Sequence, residues 1–556
     1  MSAPAPPTAP TDWSRLFPIL SDEQIERAAS HGRVRQVRVG EVLASAGTPT
    51  ASLFIVKTAK LEIIRPDDAG GQLVTSVGPG QFTGETSMLA GRPIMVNIRV
   101  SSAGEVLEIE RQALLAIVQN DSELSDILMR SFILRRVELI ARGYGDVVLL
   151  GSDHSPGTLR IKEFLTRNGH PYTYTDLDKE ADAQTLLDRF HISVDEVPVV
   201  ICRGEKVLRS PSNEEIADCL GLNDAIERTH LRDVVIIGAG PAGLAAAVYG
   251  ASEGLDVLVV EWSAPGGQAG SSSKIENYLG FPTGISGQDL AGRAYSQVQK
   301  FGAQVMIAKA ATRLLCNSKP YAVRVNDDTA VPARSIVIAT GAQYRKLTLE
   351  NLSDFEGNGV YYGATFVESQ LCMGEEVIVV GGGNSAGQAA VFLAQTCRRV
   401  YLLVRSTGLS DSMSRYLIRR IEENPSISLL TQTEIAALEG TNRLERVRWR
   451  HRESGNVETH NVRHVFVMAG AVPNTKWLEG CIALDSHGFI KTGPDLSQDD
   501  LAAAQWPLTR APYLLETSLP GVFAVGDVRS GNIKRVASAV GEGSISISFV
   551  HKVVNE

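Results

Sequence analysis

The sequence predicts a multidomain protein with a β-roll and helix at its amino end, a small central α/β unit, and two dinucleotide-binding folds at its carboxy end. Three observations predict this arrangement. Short β-branched runs alternate with Gly and Pro turns over residues 12–120. Strand and helix patterns alternate over residues 144–224. Two units of strand, glycine-rich turn and helix follow, one after residue 231 and one after residue 375.

The composition is that of an ordinary globular protein. The chain has 556 residues, 44% hydrophobic and 21% charged, and this length allows about three or four domains. The net charge of -9 and the lack of a basic face argue against nucleic acid as a partner. The start of the chain lacks the basic and apolar regions of a signal peptide, and its Pro and Ala content predicts a disordered tail over residues 1–11. We therefore expect a cytoplasmic protein without membrane contact and without a metal site.

The cysteines form no Cys-x-x-Cys pair. There are six of them: Cys202, Cys219, Cys316, Cys372, Cys397 and Cys481. In a long soluble chain we expect six reduced and mostly buried thiols. The alternative is a pair that spacing does not reveal, such as Cys372 with Cys397.

The amino-terminal segment, predicted as one domain over residues 12–143, resembles the cyclic-nucleotide-binding domain. The stretch FTGETSMLAGRPIMV is similar to that family's phosphate-binding cassette, and the resemblance implies that Glu85 holds a ribose hydroxyl. In the family an arginine follows the cassette's proline, whereas here Ile94 follows it and Arg92 precedes it. An uncompensated buried phosphate is costly, so we expect a docking or dimerisation role rather than cyclic nucleotide binding.

The central segment, residues 144–224, resembles a thioredoxin or glutaredoxin fold. A helix is predicted to begin near residue 156 and a second one to end near Phe190, and Val197-Pro198 matches the family's cis-proline loop. The family's redox pair stands at the start of the first helix, where the helix dipole lowers the pKa of a thiol. Ser155 and Thr158 occupy those two positions, and their hydroxyls cannot form a disulfide.

The first glycine-rich turn is a strong dinucleotide-binding motif. Gly238, Gly240 and Gly243 follow an apolar strand and open a helix, and a second strand ends in Glu261. Glycine at these positions lets the backbone approach a pyrophosphate at the helix N-terminus, and the acid accepts a hydrogen bond from a ribose 2′-hydroxyl. A dinucleotide with a free 2′-hydroxyl is therefore expected here.

The second turn carries the same pattern with a different ending. Gly381, Gly383 and Ala386 take the motif positions, but the following strand ends in Val404 and Arg405. The acceptor for a 2′-hydroxyl is missing, and the guanidinium offers a cation for a 2′-phosphate. The second nucleotide is therefore predicted to be NADPH rather than NADH.

With these motifs in this order, the segment from residue 231 to the end resembles low-molecular-weight thioredoxin reductase. The resemblance implies a three-layer ββα FAD-binding domain in two parts, residues 225–347 and 475–556, with an NADPH-binding domain at residues 348–474 between them. It also implies the cofactor-binding residues. For FAD these are Gly238, Gly240, Pro241, Ala242, Gly243, Glu261, Gly267, Gln268, Asn277, Gly341, Gly526, Asp527, Arg535, Val536 and Ala537. For NADPH they are Gly381, Gly383, Asn384, Ser385, Ala386 and Arg405.

The chain departs from this family at the redox pair. Gly363 and Phe366 stand where the family has its two cysteines. Phe366 is expected to plug the space near the flavin, and Glu368 is expected to be a solvated surface acid. The family's second arginine at the 2′-phosphate is replaced by Ser406, for which Arg415 is a candidate substitute. No catalytic side chain is expected, because hydride transfer between the two cofactors needs only their positioning.

Three functions follow from this sequence. The first is an FAD-dependent NADPH oxidoreductase with an unidentified non-thiol acceptor, such as oxygen, a quinone, a small molecule or an electron-transfer protein. The second is a reductase that places a partner's disulfide directly against the flavin. The third is a flavin-loaded redox or nucleotide sensor without significant turnover. The resemblance implies a homodimer in each case.

Overall fold

The computed structural model describes residues 13–48, 52–66, 71–141, 147–179, 192–193, 196–202, 206–223, 230–326, 329–441, 443–478 and 480–556. The predicted disordered tail, residues 1–11, and the predicted boundaries after residues 143 and 224 lie outside the described residues.

The amino-terminal part is a β-roll flanked by helices. Its strands are Arg33–Val37 (β1), Val42–Ala44 (β2), Leu53–Val56 (β3), Lys60–Arg65 (β4), Gln72–Val77 (β5), Asn97–Ser102 (β6) and Gly104–Ile109 (β7). Its helices are Trp13–Leu16 (α1), Asp22–Ala29 (α2), Arg111–Asn120 (α3) and Ser122–Ala141 (α4). Two antiparallel sheets, β1-β7-β3 and β2-β6-β4-β5, pack around buried apolar side chains. The prediction of a β-roll followed by a helix is confirmed.

The central part is built on a four-stranded sheet. Its strands are Val147–Gly151 (β8), Thr173–Asp176 (β9), Val199–Cys202 (β10) and Lys206–Arg209 (β11), and its described helices are Pro156–Arg167 (α5) and Asn213–Leu220 (α6). The order is β11-β10-β8-β9, with β8 parallel to β9 and antiparallel to β10. The peptide bond between Val197 and Pro198 is cis, as the resemblance implies. The helix predicted to end near Phe190 lies outside the described residues.

The first dinucleotide-binding part follows. Its strands are Arg232–Ile237 (β12), Val257–Glu261 (β13), Gln304–Ile307 (β14), Ala311–Leu315 (β15), Tyr321–Val325 (β16) and Thr329–Ile338 (β17). Its helices are Pro241–Ser252 (α7), Gly267–Gly270 (α8) and Gly287–Lys300 (α9). β12 pairs in parallel with β13 and β17 and is buried on both faces. Buried parallel strands of this kind read as continuous apolar runs, which is why the motif strand could be recognised.

The second dinucleotide-binding part is inserted after β17. Its strands are Ala342–Tyr344 (β18), Val360–Tyr361 (β19), Glu376–Val380 (β20), Arg399–Leu403 (β21), Ile427–Leu430 (β22), Thr433–Glu439 (β23), Arg446–His451 (β24), Val457–His460 (β25), His464–Val467 (β26) and Ala471–Pro473 (β27). Its helices are Leu352–Phe355 (α10), Phe366–Leu371 (α11), Asn384–Leu393 (α12) and Arg415–Glu423 (α13). A parallel sheet, β19-β26-β20-β21-β22, carries the second glycine-rich turn. β18 and β27 form a two-stranded ribbon through which the chain enters and leaves this part.

The chain then returns to the first sheet. The remaining elements are the helix Gln498–Ala503 (α14), the strand Val522–Ala524 (β28) and the helix Val536–Asn555 (α15). Short 3-10 turns stand at Thr86–Met88, Lys476–Leu478, Gly493–Asp495 and Gly526–Val528. β28 pairs in parallel with β17, and α15 packs on α7. One dinucleotide-binding fold is thus inserted in another. In the described part of the chain, no helix has the length and apolarity that crossing a membrane requires.

The prediction of six reduced thiols is wrong for two of them. Cys316 and Cys481 form a disulfide, 165 residues apart in sequence. Cys316 follows β15, and the turn Lys476–Leu478 packs on that strand, so the two Cα atoms come within 6.0 Å, a normal disulfide separation. Sequence spacing gave no sign of this, because the contact is made across the inserted domain. Cys202, Cys219, Cys372 and Cys397 are thiols outside this disulfide.

Candidate functional site

The first glycine-rich turn has two glycines that the fold requires and one that it does not. Gly238 has a φ of 102°, and a Cβ on it would lie 2.4 Å from the carbonyl oxygen of Ala339. A Cβ on Gly243 would lie 1.8 Å from the carbonyl oxygen of Gly238. At Gly240, the N-cap of α7, the nearest atom to an added Cβ is the Cα of Gly267 at 3.8 Å. The open space at this helix N-terminus therefore suits an anion such as pyrophosphate.

Glu261 stands at the end of β13, beside the same turn. Its side chain is 3% exposed and accepts hydrogen bonds from the backbone N–H groups of Ala239 at 2.7 Å and Ser263 at 2.9 Å. Burial raises the pKa of this carboxyl. The backbone N–H groups fix the orientation of both oxygens, and a ribose hydroxyl would supply a further donor.

The carboxy-terminal motif lies against the first one. Gly526 has a φ of 73°, and a Cβ on it would lie 3.0 Å from the Cβ of Ala242 in α7. Asp527 is half-buried, and burial raises the pKa of its carboxyl. The N–H of Gly526 donates to Glu542 of α15 at 2.7 Å, and this carboxylate also accepts from Arg529 at 2.6 Å. Glu542 was not predicted as a site residue, and its one distinguishing feature in the sequence is that no other acid occurs in α15.

The first glycine-rich turn, Glu261 and the Gly526–Asp527 motif together form what we call the flavin cradle. The other predicted FAD-binding residues are distributed around it. Gly267 lies directly over the turn, because a Cβ on it would be 2.9 Å from the Cα of Gly240. Pro241 is the first residue of α7, and Gly341 has a φ of 62° with open space around it. Four other residues of the predicted set have exposed side chains: Gln268, Asn277, Arg535 and Ala537. The side chain of Val536 is half-buried. Their contacts to FAD stay predictions.

The second glycine-rich turn repeats the steric pattern of the first. Gly381 has a φ of 144°, and a Cβ on it would lie 2.5 Å from the carbonyl oxygen of Met468. At Gly383, the N-cap of α12, the nearest atom to an added Cβ lies 4.0 Å away. Ala386 is a buried residue in the first turn of α12. This turn too leaves its middle glycine open for a phosphate.

A serine loop folds over the start of α12. The side-chain oxygen of Asn384 accepts from the N–H of Ser414 at 2.8 Å, and the hydroxyl of Ser412 donates to the carbonyl of Gly382 at 2.8 Å. Ser385 is exposed and lies near the hydroxyl of Tyr344 in the ribbon strand β18. The sequence analysis predicted Asn384 and Ser385 but missed the serines, which lie about 30 residues further along the chain.

Arg405, predicted to bind a 2′-phosphate, lies beside the second glycine-rich turn. It follows β21 at the carboxyl edge of the parallel sheet, and its side chain is exposed. The guanidinium of Arg452 donates to its backbone carbonyl at 3.5 Å, so a second cation stands next to it. Sequence reasoning considered Arg415, which begins α13, and missed Arg452, which comes from a hairpin 47 residues away.

Neither of the two redox-pair positions is buried in the protein. Phe366 begins α11 and is 68% exposed, so no other side chains enclose its ring, and its role as a plug near the flavin stays a prediction. Gly363 lies in the loop before that helix. Ser155 caps α5, and a Cβ on Gly157 would lie 3.1 Å from the ring of Pro198. The cis-proline and the helix start therefore keep the arrangement that the resemblance implies, without sulfur.

The prediction that Glu368 is a solvated acid is wrong. Its side chain is 1% exposed and caps α11 by accepting from the N–H of Thr365 at 2.7 Å. Glu163 of α5 faces it from the central part. Burial, and then the hydrogen bond with Glu368, raise the pKa of Glu163 to about 9. The guanidinium of Arg167 on the same helix opposes this shift. Two carboxyl groups in contact share a proton, because both cannot ionise in a buried site.

The amino-terminal part has a partly open, apolar cavity of about 90 Å³. Glu85 and Arg135 line it among mostly hydrophobic side chains. Arg135 donates to the carbonyls of Leu16 and Gly84, and burial lowers its pKa to about 9. Arg92 is not in this lining. Its guanidinium donates to the hydroxyl of Tyr295 in the flavin-binding part.

Comparisons with known proteins agree with this architecture. Residues 232–543 match the family model described as pyridine nucleotide-disulphide oxidoreductase, and residues 34–121 match that of the cyclic nucleotide-binding domain. The chain is 31% identical over 325 residues to the thioredoxin reductase of Ureaplasma parvum, covering 58% of this chain and 96% of that protein. It is 30% identical over 325 residues to the thioredoxin reductase of Bacillus subtilis, covering 58% and 95%.

Solved structures give the same result. The Lactococcus lactis thioredoxin reductase in its FR conformation is similar with a TM-score of 0.52 and 27% identity, covering 58% of this chain and 99% of that chain. The thioredoxin reductase of T. acidophilum is similar with a TM-score of 0.52 and 26% identity, covering 59% and 100%.

The glycine geometry makes one substitution a clean test of FAD binding. Gly240→Val should fold, since its Cβ meets open space, but the side chain should block the pyrophosphate and give colourless protein. The measurement is the flavin absorbance per chain of the purified variant. Gly292→Val, on the open side of α9, is the matched control and should stay yellow. A Gly240→Val protein that still carries one FAD per chain would contradict the assignment of this turn to the pyrophosphate of FAD.

Arg405 should set the preference for NADPH. A charge-assisted bond to a 2′-phosphate is worth on the order of 1.5–3 kcal/mol, or roughly one to two decades in affinity. Arg405→Ala should weaken NADPH by that factor and leave NADH nearly unchanged in steady-state kinetics. Arg399→Ala, at the opposite end of the same strand, should change neither. Equal weakening of both nucleotides would show that Arg405 is only a surface residue.

The buried carboxyl pair should make stability depend on pH. The pKa of Glu163 is about 9 in the folded state and about 4.3 in an unfolded chain. The stability from its neutral form is therefore complete below pH ~4.3 and is lost as the pH rises toward 9, by at most about 1.4 kcal/mol per pH unit. Glu163→Gln should raise the thermal midpoint increasingly between pH 5 and 8, measured by calorimetry. Glu110→Gln, an exposed acid, should give a pH-independent difference. A constant difference for Glu163→Gln would contradict the shared proton.

Proposed function

The chain belongs to the pyridine nucleotide-disulphide oxidoreductase family, and we propose that it transfers the reducing equivalents of NADPH through FAD to a non-thiol acceptor. It is an FAD-dependent NAD(P)H oxidoreductase, and FAD and NADPH are its cofactors. The overall reaction is balanced when NADPH and a proton reduce a two-electron acceptor such as a quinone to its dihydro form. Oxygen, a small molecule or an electron-transfer protein are the other acceptors that fit.

The residues around the two turns fit this pair of cofactors. FAD, when bound, supplies the site that accepts hydride and stores two electrons. The turn at Gly240 and the acid Glu261 would hold its pyrophosphate and ribose, with Asp527 on the sugar chain. The turn at Gly383 would hold the pyrophosphate of NADPH, with Arg405 at its 2′-phosphate. Each of these groups orients a nucleotide, and none has to move a proton for hydride transfer.

The lack of an accessible sulfur relay is the observation that favours a non-thiol acceptor. Gly363 and Phe366 carry no sulfur, and all six cysteines lie in described residues without one being exposed. The Sγ atoms of Cys372 and Cys397 are 3.6 Å apart, but the two side chains are only 0% and 6% exposed. A buried thiol cannot attack the disulfide of a docked partner, because exchange needs direct access to the sulfur.

Reduction of an external disulfide is the second candidate. The relatives named thioredoxin reductase favour it. It requires a partner disulfide placed directly against the flavin, with no internal dithiol between them. Such a reaction would need an open approach to the cradle, and it would oxidise the flavin by two electrons as one partner disulfide becomes two thiols.

The proposed function predicts two-electron reduction of the protein. An anaerobic titration with NADPH should consume one equivalent per FAD, and thiol counting in unfolded protein should give four thiols before and after. Cys316→Ser with Cys481→Ser is the control. Its rate of NADPH oxidation with a redox dye as the electron acceptor should equal that of the wild type. Uptake of four electrons with six thiols at the end would identify Cys316–Cys481 as a relay. Rapid reduction of added thioredoxin would favour the second candidate instead.

A further inference from the structure

Helix α5 of the central part contacts the NADPH-binding part with its first half. A Cβ on Gly357 would lie 2.9 Å from the Cβ of Pro156, so the two backbones are in close contact. Leu159 is 8% exposed and belongs to the apolar cluster that includes Tyr361 and Ala364. Its side chain is thus part of the core of the NADPH-binding part. The carboxyl pair of Glu163 and Glu368 lies one turn further along the helix.

The end of the same helix contacts the FAD-binding part. The guanidinium of Arg167 donates to the carbonyl of Gly267 at 2.9 Å, in the loop over the pyrophosphate turn. Gln288 of α9 donates to the carbonyl of Thr166 at 2.9 Å. Asn168 donates to the carbonyl of Ser263 at 3.4 Å, two residues after Glu261. A helix of this length is about 18 Å long and therefore reaches from one nucleotide-binding part to the other.

The covalent link between the two nucleotide-binding parts is narrow. It consists of the ribbon β18–β27, where Thr340 and Asn474 exchange hydrogen bonds of 2.9 Å. A direct ion pair, Arg420 with Glu276 at 2.6 Å, is solvated and contributes little by itself. Connections of this kind permit domain rotation unless a larger contact opposes it. The contact made by α5 is of the kind that opposes it, because a buried leucine packs at one end and three side-chain hydrogen bonds to backbone carbonyls form at the other.

The observed orientation brings the two nucleotide motifs toward each other. Tyr344 of the ribbon packs against the apolar cluster of the NADPH-binding part, and its hydroxyl lies near both Ser385 at the start of α12 and Asp527 of the FAD-binding part. Burial, and then the charge of Asp527, raise the pKa of this tyrosine. By contrast, α11 and the loop before it, where the family has its redox pair, lie against α5. A chain that passed electrons through that loop would need it at the flavin. A chain without sulfur there does not.

We propose that α5 is a brace that holds the FAD-binding and NADPH-binding parts in the one orientation in which NADPH reduces the flavin. This rests on the proposed function, because it assigns the orientation to hydride transfer. Leu159 and Arg167 are positioning residues at the two ends of the brace. They act on the distance between the nucleotides and do not touch the reacting atoms.

Rapid-reaction kinetics of flavin reduction test the brace. Leu159→Asp places a charge in the apolar cluster and should slow anaerobic flavin reduction at saturating NADPH at least about five-fold, while the FAD content and the Kd for NADPH stay close to wild type. Leu159→Met should retain the wild-type rate, and Arg167→Ala should slow it less than Leu159→Asp. Lys206→Ala, exposed on the edge strand β11, is the control. Loss of NADPH affinity with an unchanged limiting rate would overturn the brace.

A cross-link tests the same contact without relying on turnover. Pro156→Cys with Gly357→Cys should be joined by a short bismaleimide that dithiothreitol cleaves, since an added Cβ at residue 357 lies 2.9 Å from that of residue 156, closer than the Cβ separation of a disulfide. The cross-linked protein should reduce its flavin as fast as the uncross-linked form. Failure to cross-link, or a rate lost on cross-linking and regained with dithiothreitol, would overturn the brace. A wild type that does not oxidise NADPH would overturn the proposed function and this role together, whereas a normal wild type with an unaffected Leu159→Asp variant overturns the brace alone.

Discussion

The nucleotide-binding architecture depends on one steric constraint, the direct contact of a helix start with the backbone at a strand end. At Gly243, in α7, the carbonyl of Gly238 leaves no room for a Cβ. At Gly381, just after β20, the carbonyl of Met468 leaves none, and a Cβ there would also lie 3.1 Å from the Cβ of Ala386 in α12. These contacts hold the starts of α7 and α12 close to the ends of their sheets. The middle glycines, Gly240 and Gly383, are under no such constraint from the protein. What excludes a side chain there is the space that a phosphate would occupy.

The sequence predicted those features that depend on neighbouring residues. A strand, turn and helix lie within about 30 residues, so the spacing of Gly238, Gly240 and Glu261 specified both structure and ligand class. Features made by distant segments could not be predicted in this way. Arg452 reaches Arg405 from another hairpin, Glu542 reaches Gly526 from the last helix, and the Cys316–Cys481 disulfide spans the inserted domain. Each of these contacts can be identified only once the tertiary fold is known.

The burial of the residues near the redox-pair positions has one physical origin. Glu368 was expected to be solvated and is buried, whereas the apolar Phe366 is exposed. α11 is a short helix, so the central part covers one of its sides and leaves the other open. Glu368 faces α5, where it caps its own helix and meets Glu163. The polarity of Glu368 alone therefore gave the wrong prediction for its burial, because the covering element is a different domain of the chain.

The residues that replace the sulfurs in the central part have structural roles of their own. Ser155 caps α5 with its hydroxyl, and serine is among the preferred residues for an N-cap. Thr158 is 1% exposed and is packed against Gly151 so closely that a Cβ there would collide with it. Neither hydroxyl can replace a thiolate in disulfide exchange. The two residues therefore serve capping and packing, while the cis-proline beside them and the helix they begin remain. A domain in this state can still hold two neighbours at a fixed distance, and its contacts with both nucleotide-binding parts are what it retains for that purpose.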